Sequence, residues 1–149
     1  HNLSRLSRIL NGKAACLRLY NRWQGERKKQ NPDPLYQWML QDSKKSLLAA
    51  LKNYPSLGLE GRVVEIGGRL QAFTLGFPLN ADTFCVLYEI TNLKYRGLAQ
   101  FIFMRFCRDL GQYKFINAMD DSGLENLKRV KLSYRPVKIV SAYICRRNA

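Results

Sequence analysis

The chain has 149 residues, enough for one domain that buries a core without disulfide or metal staples, and its 46% hydrophobic and 24% charged content is that of a globular protein. Lys and Arg outnumber Asp and Glu by 25 to 11, a net charge of +14, so the domain's field favours polyanions: nucleic acid, an anionic lipid surface or a phosphorylated cofactor. The only histidine is His1, which excludes Ser-His-Asp and Cys-His catalysis and a histidine-rich metal site; no metal is expected. The cysteines, Cys16, Cys85, Cys107 and Cys145, form no CxxC pair. Cys85 and Cys145 fall in strand-like apolar runs and Cys107 in an apolar helix, as buried reduced thiols do. No apolar run approaches the roughly 20 residues needed to span a bilayer, and no signal-peptide pattern is present. The expected location is the cytoplasm, with peripheral membrane association as an extension of it.

In chain order, Leu3, Leu6 and Leu10 keep one face of a predicted helix that Gly12 interrupts. Leu17, Tyr20 and Trp23 mark a second helix, running out into the polar stretch from Glu26 to Asn31. Asp33 and Pro34 read as an N-cap and a first helical position. The helix they open is predicted to turn Leu47, Leu48, Leu51 and Tyr54 inward and to stop before Pro55. Residues 1–55 thus form a helical part, and residues 56–149 a part built on a sheet, of one domain.

From Gly61 the pattern becomes that of strands. Arg62 to Ile66 is rich in β-branched residues, Gly67 and Gly68 are a hairpin signal, and Arg69 to Phe77 is the partner strand. After a turn at Pro78 to Asn80, Thr83 to Ile90 is a near-continuous apolar run, the mark of a buried central strand. Leu98, Ile102, Phe106 and Leu110 then define an amphipathic helix over residues 97–110. Tyr113 to Ala118 reads as a strand, predicted parallel to Thr83–Ile90 and splaying from it at the C-terminal end. Ser122 and Glu125 read as a capping box opening a helix that Pro136 limits, and Val137 to Cys145 as a last strand. The order β-β-β-α-β-α-β predicts an α/β (α+β) fold: a mixed, mostly antiparallel sheet with flanking helices.

Two segments could carry chemistry. The first is the loop Lys94-Tyr95-Arg96-Gly97-Leu98-Ala99, where a strand feeds a helix N-terminus. Free backbone N–H groups at the positive helix end suit a pyrophosphate or phosphodiester, and Lys94 and Arg96 would add charge-assisted contacts. The bland reading is an ordinary helix start. The second runs from Phe115 to Pro136. Asp120 and Asp121 precede a helix, a place that suits an ionised role such as holding an ammonium, and also suits plain capping. Lys128, Lys131 and Arg135 are spaced to share one helical face, either as a phosphate-reading stripe or as a solubilising one.

The first loop resembles the Q/R-x-x-G-x-G/A signature of GNAT acyltransferases, here Lys94-x-x-Gly97-x-Ala99, with Lys in the first position. The second segment is similar to the phosphatidylglycerol lysyltransferase C-terminal family, whose stretch Asn-Arg-Glu-x-Asp-x-Gly followed by Leu-x-x-x-Lys-x-Ser-Tyr-x-Pro is matched at Asn117, Asp121, Gly123, Leu127, Lys131, Ser133, Tyr134 and Pro136. Ala118 and Met119 depart from it. Upstream, Val64 to Gly76 resembles the family's G-x-x-x-A-F-x-L-G strand pair, and Tyr88-Glu89 with Gly97-x-x-Gln100 fits its E…G-x-x-Q spacing. The resemblance covers about residues 47 to 145.

It implies a GNAT-like domain, the C-terminal half of a longer tandem-GNAT protein, that transfers an aminoacyl group from aminoacyl-tRNA to a lipid or other small acceptor. The same fold would also suit an acetyl-CoA-dependent N-acetyltransferase, and the basic face a non-catalytic RNA- or membrane-binding domain. The implied catalytic residues are Glu89 as general base, Asp121, and Tyr134 as general acid. Lys94, Arg96, Gly97 and Ala99 would hold the tRNA or CoA-type donor. Asn117, Asp120, Lys128, Lys131 and Arg135 would bind substrate, with an anionic lipid surface as a further partner.

Overall fold

The computed structural model describes the backbone of residues 5–8 and the residues 12–141, 143 and 145. Its elements are β1 (Arg5–Arg8), α1 (Lys13–Gln30), α2 (Pro34–Lys52), β2 (Glu60–Ile66), β3 (Arg69–Pro78), β4 (Thr83–Thr91), α3 (Leu98–Asp109), β5 (Phe115–Asn117) and α4 (Glu125–Ser133). The chain divides into two compact units, His1–Asn117 and Ala118–Ala149.

In the first unit the hairpin β2–β3 closes on Gly67 and Gly68, with φ of 60° and 71°, the left-handed pair a two-residue turn demands. β4 follows antiparallel to β3, and α3 carries the chain over to β5, which pairs with β4 in parallel. The sheet order is β1-β2-β3-β4-β5. Adjacent residues on one strand face opposite ways, and the core divides accordingly. Val63, Phe73, Leu75 and Ile90 pack against Cys16, Leu19 and Tyr20 of α1 and Leu47 and Leu51 of α2. Val64 and Ala72 pack against Leu98 and Ile102 of α3, while Phe84 and Val86 take Phe106 and Leu110. Helices therefore cover both faces of the sheet.

Polar contacts fix the helices in place. Tyr20 Oη and Gln24 Nε2 both donate to the Leu40 carbonyl, at 3.1 and 2.8 Å, joining α1 to α2. Asp33 caps α2 by accepting from the Tyr36 amide at 3.0 Å, with Pro34 in the first turn as expected. Arg62 reaches from β2 to Asp109 at the end of α3, at 2.8 Å, and lies over the Phe106 ring.

Several expectations are corrected. The helix predicted on Leu3, Leu6 and Leu10 is a strand over Arg5–Arg8, paired antiparallel with β2; Leu3 and Leu10 lie outside the described residues. The sheet edge overrode a weak local periodicity. Leu48 is 43% exposed, because the inward face of α2 carries Leu40, Leu47, Ala50 and Leu51; Tyr54, just beyond the helix, is buried as expected. Cys107 is half-buried and Cys145 exposed, where buried thiols were expected; Cys85 is buried as expected, Cys16 is buried too, and none of the four is in a disulfide.

The second unit holds α4. Its first turn is not opened by a Ser122 capping box: the N-cap is Leu124, without a side-chain cap, and Ser122 has φ of 52°. Asp121 shapes the turn instead, its carboxylate accepting from the Gly123 amide at 2.9 Å. Among the described residues, Val137 to Cys145 contains no strand, and Val137, Ile139 and Val140 are exposed. Alternating apolar residues favour extension, but a strand also needs a partner ladder.

Candidate functional site

The geometry of the first unit turns on a bulge. Leu75 pairs with Tyr88 but Gly76 with Val86, so Leu87 is an extra residue in β4. Here the strands approach so closely that a Cβ on Gly76 would lie 2.0 Å from the Cys85 carbonyl oxygen, which only glycine permits. The extra residue inverts the facing of β4, as bulges do. Phe84 and Val86 pack against α3, but Tyr88 turns to the other face, where its hydroxyl donates to the Ser43 carbonyl of α2 at 2.9 Å. Glu89 is thereby sent to the α3 face. Its charge reaches Cys107 on that helix, whose thiol is pushed up to about 11, mainly by burial and then by Glu89.

The pairing of β4 with β5 covers only Thr83, Phe84 and Cys85, opposite Phe115, Ile116 and Asn117. β5 ends there, so the stretch of β4 from Val86 to Thr91, which carries Glu89, runs on beyond it. The strands are parallel, as predicted, and β5 is shorter than the predicted Tyr113–Ala118.

At that end of β4 the chain turns into α3. Gly97 is the N-cap, with φ of 76°, and no side chain caps the helix or places an acidic group in its first turn. The Leu98 amide bonds to the Tyr95 carbonyl at 3.3 Å, and the first full helical bond runs from the Phe101 amide to the Gly97 carbonyl at 2.9 Å. Helix geometry leaves the amides of Ala99 and Gln100 without an acceptor in the helix. Lys94, Arg96, Gly97 and Gln100 are exposed, and nothing lies within 4 Å of the place a Gly97 Cβ would occupy. The anion-seeking groups are thus Ala99 and Gln100 rather than Leu98, with two cations beside them.

Two polar residues of this region escaped sequence reasoning. Gln71 and Asn92 are both buried, and Asn92 Nδ2 donates to Gln71 Oε1 at 2.8 Å. The available signal was a lone polar residue directly after the apolar run of β4.

The remaining predicted residues lie in the second unit, except Asn117, the exposed last residue of β5. Lys131 is a structural cation: its ammonium donates to the carbonyl oxygens of Ala118 and Asp120. The predicted stripe of Lys128, Lys131 and Arg135 is corrected, because α4 ends at Ser133 and Arg135 stands beyond it with φ of 52°. Tyr134 is the C-cap and is half-buried, while Asp120, Lys128 and Arg135 are exposed. Among the described residues no group of three or more His, Cys, Asp or Glu could hold a metal, and no helix is long and apolar enough to cross a membrane.

The sequence profile of the family "Phosphatidylglycerol lysyltransferase, C-terminal" matches residues 5–146. The chain belongs to that family. The match begins well upstream of the motifs that suggested it and takes in α1 and α2. No curated protein matches the chain significantly. Among solved structures, a conserved protein of unknown function from Bacteroides thetaiotaomicron VPI-5482 is 30% identical, with a TM-score of 0.81; the alignment covers 91% of this chain and 45% of that one. The present chain thus spans less than half the length of that relative. A possible acetyltransferase from Clostridium difficile 630 superposes with a TM-score of 0.68 at 11% identity, over 99% of both chains. The PaiA N-acetyltransferase of Thermoplasma acidophilum, solved with coenzyme A, gives 0.62 at 8% identity, over 89% of this chain and 87% of that one. The fold of this family member is GNAT-like, and the family supports an acyltransferase domain.

Proposed function

We propose that this domain transfers an aminoacyl group from aminoacyl-tRNA to the hydroxyl of a lipid or other small acceptor, as the C-terminal half of a longer tandem protein. The observation that carries the reading is the uncapped, exposed N-terminus of α3, flanked by Lys94 and Arg96, at the end of β4 that runs on beyond β5. Donor phosphate would rest on the Ala99 and Gln100 amides, with Gly97 giving access and the two cations neutralising charge. Glu89, on that stretch of β4, would take the proton from the attacking hydroxyl. The ester to the tRNA ribose would then break, returning a hydroxyl to the tRNA.

Asn117 and the residues of the second unit enter through the family motif. Asp120 and Asp121 would hold the aminoacyl ammonium, Tyr134 would act as acid, and Asn117, Lys128, Lys131 and Arg135 would contact substrate. Lys131 is at the same time bound to the carbonyl oxygens of Ala118 and Asp120.

The same cradle supports a second reading, an acetyl-CoA-dependent N-acetyltransferase, favoured by the coenzyme A complex of the Thermoplasma neighbour. One assay separates the two. The domain is supplied with labelled lysyl-tRNA and phosphatidylglycerol vesicles, and separately with acetyl-CoA and a panel of amines. Label reaching lipid, abolished in Glu89→Gln, supports aminoacyl transfer. Turnover of acetyl-CoA alone supports the alternative, and no transfer in either arm leaves binding without catalysis.

A further inference from the structure

We infer that Gln71, on a strand that does not contribute to the loop, is a positioning residue for the phosphate cradle and acts through Asn92. The inference rests on the donor reading above for its functional part, and on geometry alone for its structural part.

Gln71 is itself a bulge residue. Val64 pairs with Ala72 and Glu65 with Leu70, so Gln71 has no partner on β2. Released from that ladder, it serves the other neighbour. Its carbonyl accepts from the Asn92 amide at 2.8 Å, and its Oε1 accepts from Asn92 Nδ2, also at 2.8 Å. Asn92 passes the restraint on. Its Oδ1 accepts from the Lys94 amide at 3.1 Å, and its carbonyl accepts from the Tyr95 amide at 3.1 Å. The Tyr95 carbonyl then accepts from the Leu98 amide at 3.3 Å, in the first turn of α3. A continuous set of hydrogen bonds thus runs from the β3 bulge to the helix that presents the free amides.

Both amide side chains are more than nine-tenths buried, Gln71 at 6% and Asn92 at 8% exposure. Burying two amides is costly unless they satisfy one another, whereas an apolar pair would fill the space without that demand. What the amides add is direction, since a satisfied buried network specifies one arrangement. Lys94 and Arg96 are exposed and make no ion pair among the described residues. The latch is what holds their backbone, and with it the turn at Gly97, before a ligand arrives. A cradle ordered in advance loses less entropy on binding.

The test uses Gln71→Met, which keeps the volume and removes the acceptor, and Asn92→Ala, which removes both ends of the relay and covers the case that Gln71→Met does not fold. Leu19→Ala, in the α1 core, is the control for general destabilisation. Hydrogen exchange is read at the amides of Lys94, Tyr95 and Leu98, and affinity is titrated with coenzyme A and with bulk tRNA. Exchange should quicken at those three amides in either latch variant but not selectively in the control. Affinity for whichever probe binds should fall about fivefold in Gln71→Met and about tenfold in Asn92→Ala, the scale of removing one and two hydrogen bonds. Unchanged exchange at the three amides overturns the latch. Faster exchange with unchanged affinity overturns its positioning role. If the wild-type domain binds neither probe, the donor reading fails and the positioning role with it, while the exchange data still decide whether the latch exists.

Discussion

The two units of this chain are held by different physics. In the first, α1, α2 and α3 bury large side chains against both faces of the sheet, and Tyr20, Phe73, Phe84 and Phe106 are wholly inaccessible. In the second, no described residue is buried, and α4 leaves Val130 and Leu132 exposed. Its shape comes from polar contacts to the backbone: Asp121 on the Gly123 amide, and Lys131 on two carbonyls. Burial tolerates many sequences of the right size, whereas a turn held by one carboxylate and one ammonium depends on those groups. The family motif is concentrated where the second kind of stabilisation operates, so motif residues there need not all be chemical ones.

The contrast can be broken most forcefully from the first unit. Phe73→Ala removes a wholly buried ring and should cost about 3–5 kcal/mol, read as a lower midpoint in urea unfolding. Gly76→Ala should cost about 3 kcal/mol for a single methyl, because that methyl meets the Cys85 carbonyl oxygen, part of the sheet backbone. Its unfolding midpoint should fall far below that of Gly25→Ala, where nothing lies within 4 Å and the residue is inside α1. Gly25→Ala should stabilise by up to about 1 kcal/mol.

Alkaline pH should also strike the first unit. Burial pushes the Cys16 thiol up to about 12 and the Cys107 thiol to about 11, from an ordinary value of 9.0. A pKa raised on folding means the folded state keeps the proton that the unfolded chain releases. The stabilisation is therefore complete below about pH 9 and fades as pH rises toward 11 and 12. Cys107→Ala should flatten the alkaline limb of a stability–pH curve and leave its neutral region unchanged in slope.

The second unit should respond weakly and locally. Lys131→Ala should cost about 1 kcal/mol, the value of charge-assisted bonds that are partly exposed, and should speed proteolysis between Ala118 and Leu124. Leu132→Ala should stay within about 0.5 kcal/mol, since its side chain is 46% exposed.

The same contrast explains what could be read from the residues alone. The hairpin at Gly67-Gly68, the cap at Asp33-Pro34 and the parallel crossover from β4 to β5 were legible because each is written in local chemistry or in a strong apolar period. The facing of Glu89 was not. It depends on the extra Leu87, which follows from the close approach of Gly76 to Cys85, a contact between strands. The latch of Gln71 and Asn92 was hidden for the same reason, being a pair between β3 and the loop that follows β4. In the second unit, Ser122 and Glu125 have the spacing of a capping box, but Asp121 won the turn, and the helix ended too early to carry Arg135. The alternation from Val137 onward described a preference for extension, with no ladder among the described residues to satisfy it.

If the N-terminus of α3 is an anion cradle, Gly97 is the residue whose replacement must disable it. A Cβ at this position meets no atom within 4 Å, but valine cannot comfortably adopt a φ of 76°, so the turn must change while the core stays intact. The measurement is a titration of wild type and Gly97→Val with coenzyme A and with tRNA across a salt series, with circular dichroism confirming that both are folded. A working cradle predicts at least tenfold weaker binding in the folded variant and a shallower salt dependence, by about one slope unit for each phosphate that the variant no longer neutralises. Equal affinities and equal slopes for both ligands would contradict it, and the loop would then be an ordinary helix start.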